Sequence, residues 1–195
     1  MSPRGVLVAL GCTLLVALGA HPVARSAEIS RPVLLVASPE LGQPYGNTVL
    51  FVRPVASGQH LGFIINRPTE VTLGKLFPEH GPSQKVTQPV FFGGPAYLDS
   101  LFAVVHQDQS PGGHSIALAD DMFLVVDVDI LDRLIERDGD GARFLVGLVV
   151  WQPGELDLQV RANAWSVLEA DTDLVFRKST DGLWEELIRR GRGAI

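Results

Sequence analysis

Short apolar runs, separated by turns rich in glycine and proline, recur along the chain and predict a protein built mainly from strands. The predicted strands are residues 32–37, 48–55, 61–67, 89–92, 101–106, 115–119, 122–126, 144–151 and 165–168. The run 144–151 is the most apolar piece after residue 26, so it predicts a central strand. The turn 56–59 joins two of the strands directly, which predicts an antiparallel hairpin.

Apolar residues at helical spacing are confined to short segments. Helices are predicted after Thr72, after Asp127 or Asp129, and over residues 155–163, 171–176 and 181–190. Threonine and aspartate cap helix N-termini by accepting hydrogen bonds from backbone N–H groups. Hairpin-linked strands with helices inserted irregularly are typical of an α+β fold rather than of a repeating βαβ fold.

Two of the predicted strands end in corners that cannot continue a sheet. The first corner is Asn66-Arg67-Pro68, where the proline lacks an N–H and fixes its own φ. The second is Phe92-Gly93-Gly94, where the glycines permit backbone conformations closed to other residues. Because such apolar strands favour central, neighbouring positions, we expect the two corners to lie side by side. Gly94 should then have a positive φ or approach another segment closely.

The corner residues are candidates for binding a small anion. Arg67 offers a planar fork of donors for a carboxylate or phosphate, and Asn66 offers an amide. Gly93 and Gly94 could present backbone N–H groups to the same ligand. Each residue also has an alternative, purely structural interpretation. Asn66 could stabilise its own turn, Arg67 could pair with a carboxylate, and the glycines could form a tight turn.

The N-terminal segment 1–26 differs in character from the rest of the chain. Arg4 precedes an unbroken apolar and small-residue run from Gly5 to Ala20, and small residues follow around Ser26. This order predicts a secretory signal peptide, followed by a single domain over residues 27–195. An uncleaved anchor is the alternative, but a run of about 16 residues is short for the ~20 that a bilayer span needs. We therefore expect an exported, periplasmic protein with no membrane span after cleavage.

The charge and the cysteine content argue against two classes of function, nucleic-acid binding and thiol chemistry. The net charge of the 195 residues is −6, and the predicted signal peptide contains arginines but no acid. Nucleic-acid binding relies on many Lys and Arg contacts, so no nucleic-acid partner is expected. Cys12, the single cysteine, lies in the predicted signal peptide. Thiol chemistry and Cys-ligated zinc are therefore excluded from the mature chain.

No recognisable catalytic or metal-binding motif is present. The acids Asp120, Asp121, Asp127, Asp129 and Asp132 could suit Mg²⁺ or Ca²⁺, but they do not match an EF-hand loop, and helix capping or a solvated helix face explains them. The four histidines after the predicted signal peptide (His60, His80, His106 and His114) show no ligand spacing. We expect no cofactor, no metal and no catalytic set.

The order of several short sequence stretches resembles the YqgE/AlgH family of bacterial proteins, a domain of unknown function. These stretches are residues 34–39, 62–68, 72–76, 92–95, 129–131, 151–156 and 163–165. The resemblance implies a mixed, mostly antiparallel sheet curled into a pseudo-barrel with short helices around it. It also adds a third candidate corner, at Trp151 and Glu155. Trp151 is there either a ligand platform or a packed core residue.

The expected function is a non-catalytic binding or accessory module of the cell envelope, with an unknown protein or a small anionic ligand as partner. An enzyme acting on a small anionic metabolite, with Arg67 as clamp, is the first alternative. Some family members are labelled putative transcriptional regulators, which is the second. Typical members begin directly at the first strand and resemble cytosolic proteins, so a cytoplasmic location is the alternative to export.

Overall fold

The computed structural model describes residues 29–192, and the predicted signal peptide 1–26 lies outside these residues. The strands within that range are β1 (Val33–Ala37), β2 (Val49–Pro54), β3 (His60–Ile64), β4 (Pro68–Thr72), β5 (Pro89–Phe92), β6 (Ala96–His106), β7 (Ile116–Ala119), β8 (Met122–Val125), β9 (Ala142–Trp151) and β10 (Trp165–Glu169). The α-helices are α1 (Leu73–Leu76), α2 (Val128–Asp138), α3 (Glu155–Arg161), α4 (Thr172–Val175) and α5 (Leu183–Arg192). Short 3₁₀ turns cover Ala56–Gly58, Gly81–Lys85 and Gly139–Gly141.

The strands form one curled sheet in the order β10-β1-β2-β3-β9-β6-β8-β7, and neighbours along this path are antiparallel. The predicted hairpin of β2 and β3 is confirmed. β9 is central, as its apolar sequence predicts, because it pairs with β3, β5 and β6. The α+β fold, a mostly antiparallel sheet curled into a half-barrel with a few short helices, is therefore confirmed.

The central strands are apolar without alternation because both of their faces are buried. On β1, Leu34 and Val36 pack into the same core as Leu183 and Leu187 of α5. The intervening Leu35 packs on the opposite face, in a core that includes Leu156, Trp151 and Trp165. A third core lies between α2 and strands β6, β8 and β9.

Helix boundaries follow the predicted caps closely. The Asp127 carboxylate accepts hydrogen bonds from Asp129 N and Ile130 N at the start of α2. Asp171 caps α4 in the same way. Thr72 occupies the N-cap position of α1, but its side chain makes no capping hydrogen bond.

The structure shifts two predicted boundaries. The strand expected over residues 61–67 ends at Ile64, and Pro68 begins a new strand, β4, that pairs with β5. Proline is tolerated there because the first residue of a strand need not donate to the ladder. β6 begins at Ala96, before the predicted Leu101. In residues 29–192, none of the helices has the length and apolar character needed to cross a bilayer.

Candidate functional site

The two corners predicted from the sequence are neighbours in the structure. Ile64 N donates to Gly93 O at 2.8 Å, and Phe92 N donates to Arg67 O at 2.9 Å. These hydrogen bonds extend the sheet between β3 and β5 along one edge of β9. The expected juxtaposition of Asn66-Arg67-Pro68 with Phe92-Gly93-Gly94 is confirmed.

Beyond the second corner, the chain crosses β9. β5 pairs with β9 on the edge that also carries β3, whereas β6 pairs with the other edge, so the segment between them passes over β9 at Gly147. A Cβ atom on Gly147 would lie 2.0 Å from Gly94 O, and one on Gly94 would lie 2.3 Å from Leu148 O. Gly94 has a φ of 156° and Gly147 a φ of 77°. The close approach expected at Gly94 is confirmed, and Gly147 is its counterpart.

Asn66 and Arg67 hold the loop before β2 in place. The Asn66 side chain accepts from Val49 N at 2.8 Å and donates to Asn47 O at 3.0 Å. The Arg67 guanidinium donates to Pro44 O at 2.5 Å and Gly46 O at 3.1 Å, and burial lowers its pKa. Arg67 therefore pairs with loop carbonyls, not with the carboxylate that the structural interpretation assumed. Anion binding by Arg67 stays a prediction.

The remaining corner residues also have partners within the chain. Gly93 N donates to Val146 O at 2.8 Å, and Gly94 is buried. Trp151 is buried, and its indole N–H donates to Gln159 Oε1 at 3.0 Å. Glu155 accepts from Gln152 N at 3.0 Å, which satisfies a donor at the start of α3. Each of these groups has a structural role in the described part of the chain.

Trp165, which lies beside Trp151, contacts the loop that Arg67 holds. Trp165 donates to Gln159 Oε1 at 2.8 Å, so two indoles share one amide oxygen. Tyr45, from the loop held by Arg67, packs edge-on against Trp165 with ring centroids 5.6 Å apart. Burial and the nearby Glu155 carboxylate raise the pKa of Tyr45. The loop 43–47 thus contacts Arg67 of the first corner at one point and Trp165, beside Trp151, at another.

Arg143 is a buried cation that the sequence analysis did not single out. It is 2% exposed, and it donates to Ile65 O at 3.1 Å and Arg177 O at 2.7 Å. Its guanidinium carbon lies 4.1 Å from the Phe91 ring centroid. Its Nε has no hydrogen-bond partner among the described residues, and burial lowers the Arg143 pKa to about 10. Position 143 lay just before the predicted strand 144–151, so periodicity gave no signal for it.

A groove beside α2 has a largely apolar lining and includes none of the corner residues. This α2 groove has a volume of about 650 Å³. Its apolar lining includes Phe77, Leu101, Phe102, Val128, Leu131 and Ile135, and its polar lining includes His80, Asp99, Ser100, Asp129 and Asp132. Phe77 and Val128 are 41% and 76% exposed, so both present apolar surface to solvent at this groove.

A bulge in β6 builds one wall of the α2 groove. Ala96 pairs with Leu148 and Leu101 with Val146, so the four residues 97–100 lie opposite Gly147 alone. Tyr97 has a φ of 58°, a conformation uncommon outside glycine. Bulges of this kind redirect side chains, and here Asp99 and Ser100 reach the groove. The only sequence signal was the run of apolar residues on a predicted helix and strand, which core packing explains equally well.

Comparisons with known proteins identify the family. A family model described as AlgH-like matches residues 34–195, so the chain belongs to the AlgH-like family. A UPF0301 protein of Serratia proteamaculans is 30% identical over 166 residues, covering 80% of this chain and 88% of that protein. A UPF0301 protein of Ruegeria pomeroyi is 28% identical over 162 residues, with the same coverage. The resemblance drawn from the sequence is confirmed, and the family's function is unknown.

Solved structures support the same fold. The solution structure of the AlgH protein from Pseudomonas aeruginosa has a TM-score of 0.66 and 22% identity, covering 82% of this chain and 88% of that one. An X-ray crystal structure of a protein from Corynebacterium diphtheriae has a TM-score of 0.66 and 20% identity, covering 83% and 86% of the two chains. At this level of identity, the likeness concerns the fold alone.

Proposed function

We propose that this protein is a non-catalytic binding module of the cell envelope, and that the α2 groove receives a basic, amphipathic segment of another protein. The observation that carries the proposal is a groove with an apolar lining, to which the exposed side chains of Phe77 and Val128 contribute, and with an acidic rim. Neither feature depends on the two corners, whose polar groups have partners within the chain.

The apolar part of the groove is suited to a side-chain ridge of a partner. Leu101 and Phe102 of β6 face Leu131 and Ile135 of α2 across about 650 Å³. Phe77 and Val128 add exposed side chains to this lining, and exposed apolar patches are typical of interaction sites in soluble proteins. An amphipathic helix that lays its apolar face into such a groove is an established mode of peptide recognition.

The charges around the groove favour a basic partner. The charged residues that line it, within residues 29–192, are Asp99, Asp129 and Asp132, with the titratable His80 beside them. Electrostatic complementarity guides encounter and excludes wrong partners. A second copy of this chain, with a net charge of −6, is disfavoured for the same reason. The three carboxylates equally disfavour an anionic ligand in the α2 groove.

The location in the envelope rests on the signal-like sequence of residues 1–26. Fractionation of bacteria expressing the full chain tests this part separately. We expect a shortened product in the periplasmic fraction. A full-length product in the cytoplasm would overturn the envelope assignment while leaving the binding module to be judged by its own experiment.

The binding proposal can be tested with synthetic peptides. The probe is a fluorescent helical peptide with leucines at i, i+3, i+4 and i+7 and lysines on the opposite face, compared with the same peptide carrying glutamates. Fluorescence anisotropy should show saturable binding of the lysine peptide that weakens with salt, because screening reduces attraction between exposed charges. The glutamate peptide should bind at least about tenfold more weakly.

Two variants locate the binding in the groove. Phe77→Ser should reduce affinity for the lysine peptide about tenfold, since one buried apolar side chain is worth about 1.5 kcal/mol or more. Its folding stability should fall by less than after truncation of a fully buried side chain, because Phe77 is 41% exposed. The control is Leu158→Ser on α3, which removes a side chain that is 67% exposed. Equal loss of binding in both variants, or no preference for lysine over glutamate, would refute the proposal.

A further inference from the structure

We propose that His80, Asp132 and Glu136 form a binding site for a first-row transition-metal ion of the Zn²⁺ type, at the rim of the α2 groove. One potential ligand atom from each of the three side chains lies within 4.8 Å of the other two. The inference does not rest on the groove having a protein partner.

The imidazole of His80 is oriented by a buried hydroxyl. His80 Nδ1 lies 2.7 Å from Ser83 Oγ, and Ser83 is fully buried in the 3₁₀ turn Gly81–Lys85. In the tautomer with the proton on Nδ1, this hydrogen bond leaves the Nε2 lone pair facing α2. Metal-binding histidines almost always donate their other ring N–H to such a partner, which fixes the tautomer and the ring plane.

The carboxylates are spaced as ligands on one helical face. Asp132 and Glu136 are four residues apart on α2, so their side chains are neighbours on its surface. His80 Nε2 lies 3.3 Å from Asp132 Oδ1. Ligands about 2.0–2.1 Å from a tetrahedral Zn²⁺ are about 3.3–3.4 Å apart, so this separation fits one edge of the coordination tetrahedron.

A second histidine and aspartate in the same chain show the contrast. His106 Nε2 lies 2.6 Å from Asp121 Oδ2, a direct charge-assisted hydrogen bond. The separation of 3.3 Å between His80 and Asp132 is longer than the usual length of a charge-assisted hydrogen bond, about 2.7–2.9 Å. The His80 cluster also has a third potential ligand, a Glu136 carboxylate oxygen within 4.8 Å of the other two ligand atoms.

The donor types indicate the kind of metal. One imidazole nitrogen and two carboxylate oxygens suit Zn²⁺ and neighbouring first-row ions, whereas Ca²⁺ and Mg²⁺ prefer oxygen alone. Three protein ligands leave a coordination position for water or for a donor from a bound molecule. His80 and Asp132 also line the α2 groove, so the metal would lie beside any molecule docked there.

Metal titration of the full chain, without an affinity tag and after treatment with a chelator, tests the site. Co²⁺ should produce visible ligand-field absorption that saturates at one ion per chain, and Zn²⁺ should abolish it. His80→Gln, Asp132→Asn and Glu136→Gln should each weaken Zn²⁺ binding at least about tenfold in calorimetry. Ser83→Ala removes only the hydrogen bond that orients the imidazole and should weaken it about tenfold.

His106→Gln is the matched control, because it removes a histidine paired with an aspartate but no third ligand. It should leave Zn²⁺ affinity unchanged. Because Glu136 is exposed, its replacement does not endanger folding, so Glu136→Gln keeps the test decisive if another variant misfolds. Absence of saturable one-to-one binding, or equal binding by the wild type and Glu136→Gln, would overturn the site.

Discussion

The corners and the α2 groove differ in what their side chains do. At the corners, Asn66 and Arg67 make hydrogen bonds to the chain's own backbone, and Gly94 and Gly147 allow one segment to cross another. In the groove, Phe77 and Val128 are exposed and lack comparable packing. The corner residues therefore stabilise the fold, whereas Phe77 and Val128 leave apolar surface exposed to solvent at the groove.

This difference shows that residues which stand out in the sequence need not be the ones that form a surface for binding. Glycine, proline, asparagine and arginine stand out in the corners because a backbone crossing and a pinned loop require these residue types. The groove is lined by ordinary apolar residues and aspartates, and its character comes from their arrangement. Substitutions at the corners should therefore affect stability first, and those in the groove should affect binding first.

The largest effect is expected for Gly147→Ala. The added Cβ would lie 2.0 Å from Gly94 O, and the residue has a φ of 77°, so the crossing segment would have to move. Overpacking and backbone strain together should lower the free energy of unfolding by about 3 kcal/mol or more. Gly94→Ala should also destabilise the protein, by more than ~1 kcal/mol. Urea denaturation followed by tryptophan fluorescence measures both.

Gly81→Ala is the control for the crossing. A Cβ atom on Gly81 would meet no atom within 4 Å, so the free energy of unfolding should change by about 1 kcal/mol or less. If Gly147→Ala were as mild as Gly81→Ala, the crossing would not require glycine, and the contrast between corner and groove would be lost.

A smaller effect is expected for Arg67→Ala. The substitution removes the hydrogen bonds to Pro44 O and Gly46 O, and the partly buried loop should loosen at a cost of about 1–2 kcal/mol. Amide hydrogen exchange should accelerate in residues 45–48. Arg53→Ala is the control, because among residues 29–192 the Arg53 side chain donates only to the adjacent Pro54 O.

The size of the Arg67 effect also decides the anion hypothesis. A loss as large as that of Gly147→Ala would make Arg67 an indispensable structural partner and exclude a free anion-binding role. With a mild loss, thermal shift with phosphates and carboxylates tests whether wild-type protein gains stability that Arg67→Ala lacks.

The smallest effect concerns the acid sensitivity of helix α5, which carries Glu186. Arg177, whose carbonyl accepts from the buried Arg143, donates to Glu186 Oε2 at 2.7 Å. This hydrogen bond and the nearby arginines lower the Glu186 pKa below its usual 4.5. A depressed acid pKa stabilises the folded state above the unfolded-state value, and that stability is lost as the pH falls through the folded-state pKa.

Glu186→Gln should therefore destabilise the protein slightly at pH 7 and leave it indistinguishable from the wild type in strong acid. Thermal unfolding across the acidic range measures the difference. Glu185→Gln is the control on the same helix, because Glu185 is exposed. A difference between wild type and Glu186→Gln that grows as the pH falls would contradict this interpretation.

The sequence alone predicted nine of the ten strands in residues 29–192, the Asp127 cap and the neighbouring corners. Continuous apolar runs such as 144–151 require burial on both faces, which makes a strand central, and Asp127 before an apolar helical pattern is a local capping signal. Pro68 and Gly94 limit the backbone by their own covalent structure. These signals are local, so they can be interpreted without knowing the rest of the fold.

Only the tertiary structure decided what surrounds those elements. Arg67 binds loop carbonyls and Gly147 lies against Gly94 at the crossing, and the sequence did not show either contact because each partner lies far away in the chain. His80 meets Asp132 and Glu136 across more than 50 residues, a distance at which ligand spacing in the sequence carries no information. The α2 groove likewise exists only because a bulged strand and a helix leave a gap. Contacts of this kind depend on how the sheet curls, which a linear pattern does not specify.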